Sequence, residues 1–172
     1  IVDIRKAMDS SSFSYHILVI DDGSTDDTGR IAAATGAEVV SHVENLGYGA
    51  SLKTGLRKAQ GEFIGITDAD GTYPVEMLPE LFEHLMQDET KMVIGARQGQ
   101  SVSIPFIRRP FKWFVRKLAS YIVEKPIPDL NSGLRVFTKK LALRYYHLYP
   151  SGFSFTSTIT VASLCDGYPV EF

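Results

Sequence analysis

The stretch YHILVIDDGSTDDTGRIAAATG, residues 15–36, decides the fold class. Its first eight residues are an apolar run ending in acid, the pattern of a strand buried on both faces of a parallel sheet. The following GSTDDTG offers Ser, Thr and Asp as helix caps, ahead of an alanine-rich helical stretch and a stop at Gly36. Strand, turn and helix in that order make the first half of a βαβ unit, in which a helix covers the crossover between parallel strands.

The same pattern continues downstream. AEVVSHV (37–43) reads as a short strand, ENLGYG (44–49) as a glycine-rich loop, and ASLKTGLRKAQG (50–61) as a helix ending at Gly61. EFIGIT (62–67) is another strand, and DADGTY (68–73) leads into PVEMLPELFEHLMQD (74–88). Pro74 suits a first helical turn, and Met77, Leu78, Leu81, Phe82 and Leu85 make one apolar stripe, which assigns Met77 and Phe82 to the core. KMVIGAR (91–97) is a fourth strand. The alternation predicts an α/β fold, a mainly parallel open sheet with helices on both faces. Ligands of such sheets bind beyond the carboxyl ends of the strands. Asp21, Asp22, Asp68, Asp70 and Arg97 all fall at predicted strand ends, so they are expected to converge on one cleft.

Length and composition bound what can be built around that cleft. A chain of 172 residues with 44% hydrophobic and 22% charged residues supports one substantial core, so residues 1–172 are expected to be a single domain. Eighteen basic against twenty acidic residues leave a formal charge of -2, which gives no argument for nucleic acid. The lone Cys165 excludes an intrachain disulfide framework and reads as a buried, inert thiol. No apolar run approaches the ~18 residues of a membrane span, and the opening IVDIRKAMDSSS has no secretory apolar region. The closing GYPVEF reads as a strand being entered, and no clear strand opens the chain. Truncation at both ends is the expectation.

The second half differs in character. IPFIRRPFKWFVRKLASYIVEK (104–125) sets Arg108, Arg109, Lys112, Arg116, Lys117 and Lys125 against Glu124 alone, interleaved with Phe106, Phe111, Trp113, Phe114, Leu118 and Ile122. Such a segment is either an ordinary surface helix with a solvated cationic face or one that meets an anionic surface. PIPDLNSGLRVF (126–137) then turns through prolines into a short strand, and TKKLALRYYHLY (138–149) reads as a helix.

In TDADGTYP (67–74), residues two apart on an extended segment point to the same side, so Asp68 and Asp70 can present oxygens to one cation. Clustered carboxylates suit a hard divalent ion, Mg²⁺ or Mn²⁺, which keeps open positions for water and substrate phosphates. No His/Cys cluster points to zinc. The loop NLGYGASLKTG matches neither the dinucleotide-binding nor the P-loop glycine spacing, and no G-x-S-x-G elbow is present. His16, His42, His84 and His147 are scattered, which favours structural or surface roles.

VIDDGSTDDT, ENLGYGASLKTGLRKAQGEFIGITDADGTYP, VIGAR, DLNSGLRVF and SGFSFTSTIT occur in one order across roughly residues 15 to 172. In this the chain resembles the inverting family 2 glycosyltransferases, and within them the polyprenyl-phosphate (dolichyl or undecaprenyl phosphate) sugar transferases of the dolichyl-phosphate mannosyltransferase type. The resemblance implies a GT-A fold, here without its first strand, a nucleotide-sugar donor of GDP-mannose or UDP-glucose type, and a divalent metal on the D-x-D motif. By position it gives Asp22, with Asp21 adjacent, to the base or ribose, Asp68 and Ala69 to the nucleotide, and Asp70 with Asp68 to Mg²⁺ or Mn²⁺. Arg97 would face the donor phosphates, and Arg116 and Arg135 the anionic acceptor or diphosphate. Asp129 would orient or deprotonate the acceptor. Thr72 stands where many relatives carry a metal-binding Gln, and Thr158 where many carry Glu. The resemblance further implies a polyprenyl-phosphate acceptor, contact of segment 104–125 with the membrane surface, and a place on the cytoplasmic side of that membrane. Three other readings stay open: a saccharide or protein acceptor, a sugar nucleotidyltransferase, and a non-catalytic nucleotide-binding module.

Overall fold

A computed structural model of the chain describes residues 1–87, 89–96, 120, 121, 123 and 126–172. A helix absent from the sequence reading, α1 (Val2–Asp9), comes first, and the predicted units follow in order: β1 (Leu18–Asp21), α2 (Thr28–Ala34), β2 (Glu38–Ser41), α3 (Tyr48–Lys58) and β3 (Phe63–Ile66). A 3-10 turn (Val75–Met77) leads into α4 (Leu78–Gln87), followed by β4 (Met92–Ile94), β5 (Arg135–Thr138) and α5 (Lys139–Arg144). A second 3-10 turn (Tyr146–Leu148), α6 (Phe155–Cys165) and β6 (Val170–Glu171) complete the described elements.

The strands form two sheets. β1 and β2 pair in parallel, as the βαβ reading requires, while the second sheet runs β3-β5-β4-β6. β5 is antiparallel to both its neighbours, and β4 and β6 are parallel. Alternation along β4 and β5 divides the core into two layers. Met92, Ile94 and Phe137 face one side with Leu56, Leu141, Phe155 and Ile159, under α3, α5 and α6. Val93 and Val136 face the other with Met8, Leu78, Leu81 and Leu85, under α1 and α4.

Three expectations need correction. β1 is only half-buried along Leu18, Val19 and Ile20, because on its free side it borders an open cleft rather than a second strand. That cleft, about 1670 Å³, runs between the unpaired edges of β1 and β3 and is lined by Leu18, Val19, Ile20, Phe63, Ile64 and Ile66. Met77 is 40% exposed rather than core, since the tighter 3-10 winding turns it off the α4 stripe, while Phe82 lies across β3, its ring 3.0 Å from where a Cβ on Gly65 would fall. Cys165 is exposed at the last position of α6. That helix is also the one long element that periodicity passed over, because its run FTSTITVASLC carries no sharp apolar face. Among the described residues no helix is long and apolar enough to cross a membrane.

Candidate functional site

At the end of β1 two adjacent carboxylates part company. Asp21 is the last residue of β1 and Asp22 follows it, and their carboxylates take different partners. Asp21 is 8% exposed; its Oδ1 accepts the Ser24 N–H at 3.1 Å and its Oδ2 the Ser41 hydroxyl at 3.3 Å. It lies so close to α2 that a Cβ on Gly29 would fall 2.7 Å from Oδ2. Asp21 closes the GST turn and is turned toward α2 and β2.

Asp22 faces the glycine loop. Its Oδ1 accepts the Leu46 N–H at 2.9 Å and is hydrogen-bonded to His42 Nδ1 at 2.6 Å, while Oδ2 accepts the Gly47 N–H at 2.8 Å. On its other side His42 is bonded through Nε2 to Thr54 Oγ1 of α3 at 2.9 Å. Burial alone would raise the Asp22 carboxyl, but the bonds from His42, Leu46 and Gly47 outweigh it and hold the group below the usual carboxylate range. Oδ2 keeps acceptor capacity beyond the Gly47 bond, so Asp22 can still take a donor group from a ligand.

The loop held by Asp22 delivers Tyr48. Gly47 sits at φ +100° just before α3, a conformation that favours glycine. Gly49 N–H donates to Gly152 O at 3.1 Å and Ala50 N–H to Ser151 O at 3.0 Å, docking the start of α3 on the 150–152 turn. A Cβ on Gly49 would fall 2.6 Å from Gly152 O, so this approach needs the bare backbone. The Tyr48 ring stacks on Phe153, with centroids 6.1 Å apart and planes 15° off parallel. Burial, together with the nearby Asp68 carboxylate, raises its phenol far above the ordinary range.

Asp68 lies just past β3, in the wall of the cleft with Thr67, Ala69, Thr72, Tyr73 and Tyr48. The DLNSG turn presses on it: a Cβ on Gly133 would fall 2.7 Å from Asp68 Oδ2 and 3.0 Å from the Tyr73 ring. The Tyr73 hydroxyl in turn accepts the Gly133 N–H at 2.7 Å. Asp70 stands exposed at the lip, where its Oδ1 accepts the Thr72 N–H at 2.9 Å. The Thr72 hydroxyl and then its backbone N–H hold the Asp70 carboxyl below the ordinary range. Thr72 thus closes a turn around Asp70, and Ala69 is exposed between the two acids.

Could these groups hold a divalent cation? Among the described residues no three His, Cys, Asp or Glu side chains converge as a full ligand set. Two hard carboxylates, one of them exposed and held anionic, fit an ion that takes part of its shell from water and phosphate. The pair does not suit a closed protein cage.

Asp129 is half-buried, and its Oδ1 accepts the Asn131 N–H at 3.0 Å, which shapes the turn before β5. Arg135, expected to touch an anionic acceptor or diphosphate, is 0% exposed. Its Nε donates to Ser132 O at 3.0 Å, its Nη1 to Thr156 O and Thr160 Oγ1 at 2.9 Å each, and its Nη2 again to Ser132 O. Burial lowers its pKa to about 10, which leaves it a cation at neutral pH. From inside the fold its charge acts on Tyr48, Asp129, Tyr73 and Asp68, and direct contact with a ligand is not what this placement offers. Replacement by lysine keeps the charge but cannot reproduce the fork to three acceptors. Arg135→Lys is expected to cost about 1–3 kcal/mol of stability, read by urea denaturation; an unchanged midpoint would contradict the clasp. Arg97, Arg116 and all of the basic segment 104–125 except Ser120, Tyr121 and Val123 lie outside the described residues.

Three side chains that matter to the site carried little sequence signal. Tyr48 opens α3 between two glycines and Tyr73 follows the DADG loop, and only tertiary approach gives them partners, Phe153 for Tyr48 and the 130–133 turn for Tyr73. His42 left one trace, its position at the end of the second predicted strand, level with Asp22 in the sheet register.

Residues 4–147 match the family model described as glycosyl transferase family 2. The chain is 31% identical over 121 residues to a dolichyl-phosphate hexose transferase of Haloferax volcanii, covering 70% of this chain and 52% of that protein. It is 33% identical over 134 residues to an undecaprenyl-phosphate 4-deoxy-4-formamido-L-arabinose transferase of Klebsiella pneumoniae, covering 74% and 40%. It therefore spans about half, or less, of the length of these curated relatives. In fold it is similar to glucosyl-3-phosphoglycerate synthase of Mycobacterium tuberculosis, solved with Mn²⁺, UDP-glucose and phosphoglyceric acid: TM-score 0.70 at 22% identity, over 98% of this chain and 64% of that one.

Proposed function

The chain belongs to glycosyl transferase family 2, and from that premise we propose that it forms the donor-handling part of an inverting hexosyltransferase. The sugar moves from a nucleoside diphosphate to a polyprenyl phosphate. The observation that carries this reading is the placing of Asp68 and Asp70 at the mouth of the cleft beyond β3, with Asp22 held at the corresponding end of β1. The acceptor class is supported by the polyprenyl-phosphate relatives, two of which are named above.

In this reading Asp22 accepts a hydrogen bond from the base or ribose, and Asp68, against which the Gly133 turn packs, sets the position of the ribose and diphosphate. Asp70, with Asp68, would hold Mg²⁺ or Mn²⁺, and such an ion neutralises charge developing on the departing nucleoside diphosphate. Arg97 and Arg116 are assigned, by the family pattern, to the donor and acceptor phosphates. A polyprenyl phosphate is already anionic near neutral pH, so its oxygen needs aiming more than deprotonation. That leaves Asp129 to orient it. Attack from the face opposite the leaving group inverts the anomeric carbon. Segment 104–125, basic and aromatic, is assigned to the membrane surface on which such an acceptor lies.

The test is a panel of UDP- and GDP-sugars with Mn²⁺ or Mg²⁺, each with and without a polyprenyl phosphate, on the chain and on the full product of its gene. Sugar transfer to the lipid phosphate with one donor, lost in EDTA, is the expected result. Transfer to a saccharide or protein instead would replace the acceptor assignment, and nucleotide binding without any transfer would leave only a binding module.

A further inference from the structure

One histidine holds the acid at the end of β1. Asp22 follows β1 and faces the glycine loop, and a relay of hydrogen bonds ties the two together. Its Oδ1 accepts the Leu46 N–H and its Oδ2 the Gly47 N–H. His42 secures the start of this relay from both sides, bonded to Asp22 at 2.6 Å and to Thr54 of α3 at 2.9 Å, with only 9% of its side chain exposed.

We propose that His42 is a positioning residue of the donor site. By holding Asp22 and Thr54 at once it fixes the Leu46–Gly47 turn and the direction in which Asp22 presents its carboxylate. The ligand class is a nucleoside diphosphate, whose base or ribose end would meet Asp22. This inference rests on the family 2 reading for its ligand, while the relay itself stands on hydrogen bonds alone. His42 touches no ligand in this account. Its effect is on the placing of Asp22, and so on ground-state binding of the donor more than on the transfer step.

The side chain can be dissected. Asn at position 42 can place an amide N–H near the Nδ1 position and keep the bond to Asp22, whereas Gln reaches toward the Nε2 position and Thr54. The experiment measures backbone amide exchange of residues 43–50 in the chain and its His42→Asn, His42→Gln and His42→Ala variants, then titrates each with UDP and GDP in the presence of Mn²⁺. Thermal unfolding serves as the control for folding.

Loss of the Asp22 bond is expected to speed exchange at Leu46 and Gly47 about tenfold or more in His42→Ala and His42→Gln, with His42→Asn close to the parent. The nucleotide that binds the parent should bind those same two variants about tenfold more weakly and His42→Asn within about threefold. Where a donor supports transfer, KM should rise with kcat little changed. If His42→Asn is as impaired as His42→Ala, or exchange at residues 46 and 47 does not move in a folded His42→Ala, the relay is overturned. If exchange responds as expected but neither nucleotide binds the parent, the relay stands and the family 2 reading of its ligand falls.

Discussion

Asp70→Asn is expected to leave the fold intact and to lower sugar transfer by about a hundredfold or more, with Mn²⁺ or Mg²⁺ no longer restoring it at concentrations that saturate the parent. The choice of substitution follows from the geometry. Asp70 Oδ1 does two things: it closes a local turn by accepting the Thr72 N–H, and it stands exposed at the mouth of the cleft. Asparagine keeps the acceptor and so the turn, but removes the negative charge a hard cation needs. Asp70→Ala removes both and should also loosen residues 70–72. Equal activity of the parent and Asp70→Asn across a metal titration would sink the metal assignment, and loss of thermal stability in Asp70→Asn would show that the turn, not the charge, had been disturbed. Removal of metal by EDTA should mimic Asp70→Asn in the parent and add little to it in the variant.

The second large effect is expected at a residue without a side chain. Gly133→Ala places a methyl group 2.7 Å from Asp68 Oδ2 and 3.0 Å from the Tyr73 ring, both closer than such contacts normally come. Tyr73 is 8% exposed and holds the Gly133 N–H, so that ring cannot withdraw freely. Overpacking of this kind costs about 1–3 kcal/mol. Because the displaced group is a proposed nucleotide-binding acid, UDP or GDP binding should fall along with the unfolding temperature. Gly152→Ala is the matched control, since a Cβ there meets nothing within 4 Å. It should change neither quantity measurably. Normal nucleotide affinity in a destabilised Gly133→Ala would separate Asp68 from the binding site.

Much of this was legible in the residues. Apolar runs ending in acid located the strands, because a strand inside a sheet can be apolar throughout while its carboxyl end must meet solvent or a ligand. Glycine and proline marked the turns for equally local reasons. What local pattern could not convey was the partner of each polar group. Arg135 reads as a cation available to a phosphate, yet it is wholly enclosed and spends its donors on Ser132, Thr156 and Thr160. Asp21 reads like Asp22, and only their partners in the fold separate the one that closes a turn from the one that faces the loop. Met77 follows helical spacing but lies in a 3-10 turn, where the same spacing points elsewhere.

By itself, then, the sequence determined the order of βα units, the acids at their carboxyl ends and the family to which the chain belongs, because these depend on residue type and short-range spacing. The tertiary structure decided which acids are open, which arginine is interior, how Asp22 is held by His42 and how Tyr73 is held by Gly133. Those last two are contacts between residues 20 and 60 positions apart, set by the pairing of β1 with β2 and the packing of the 130–133 turn, and no periodicity in the chain encodes them.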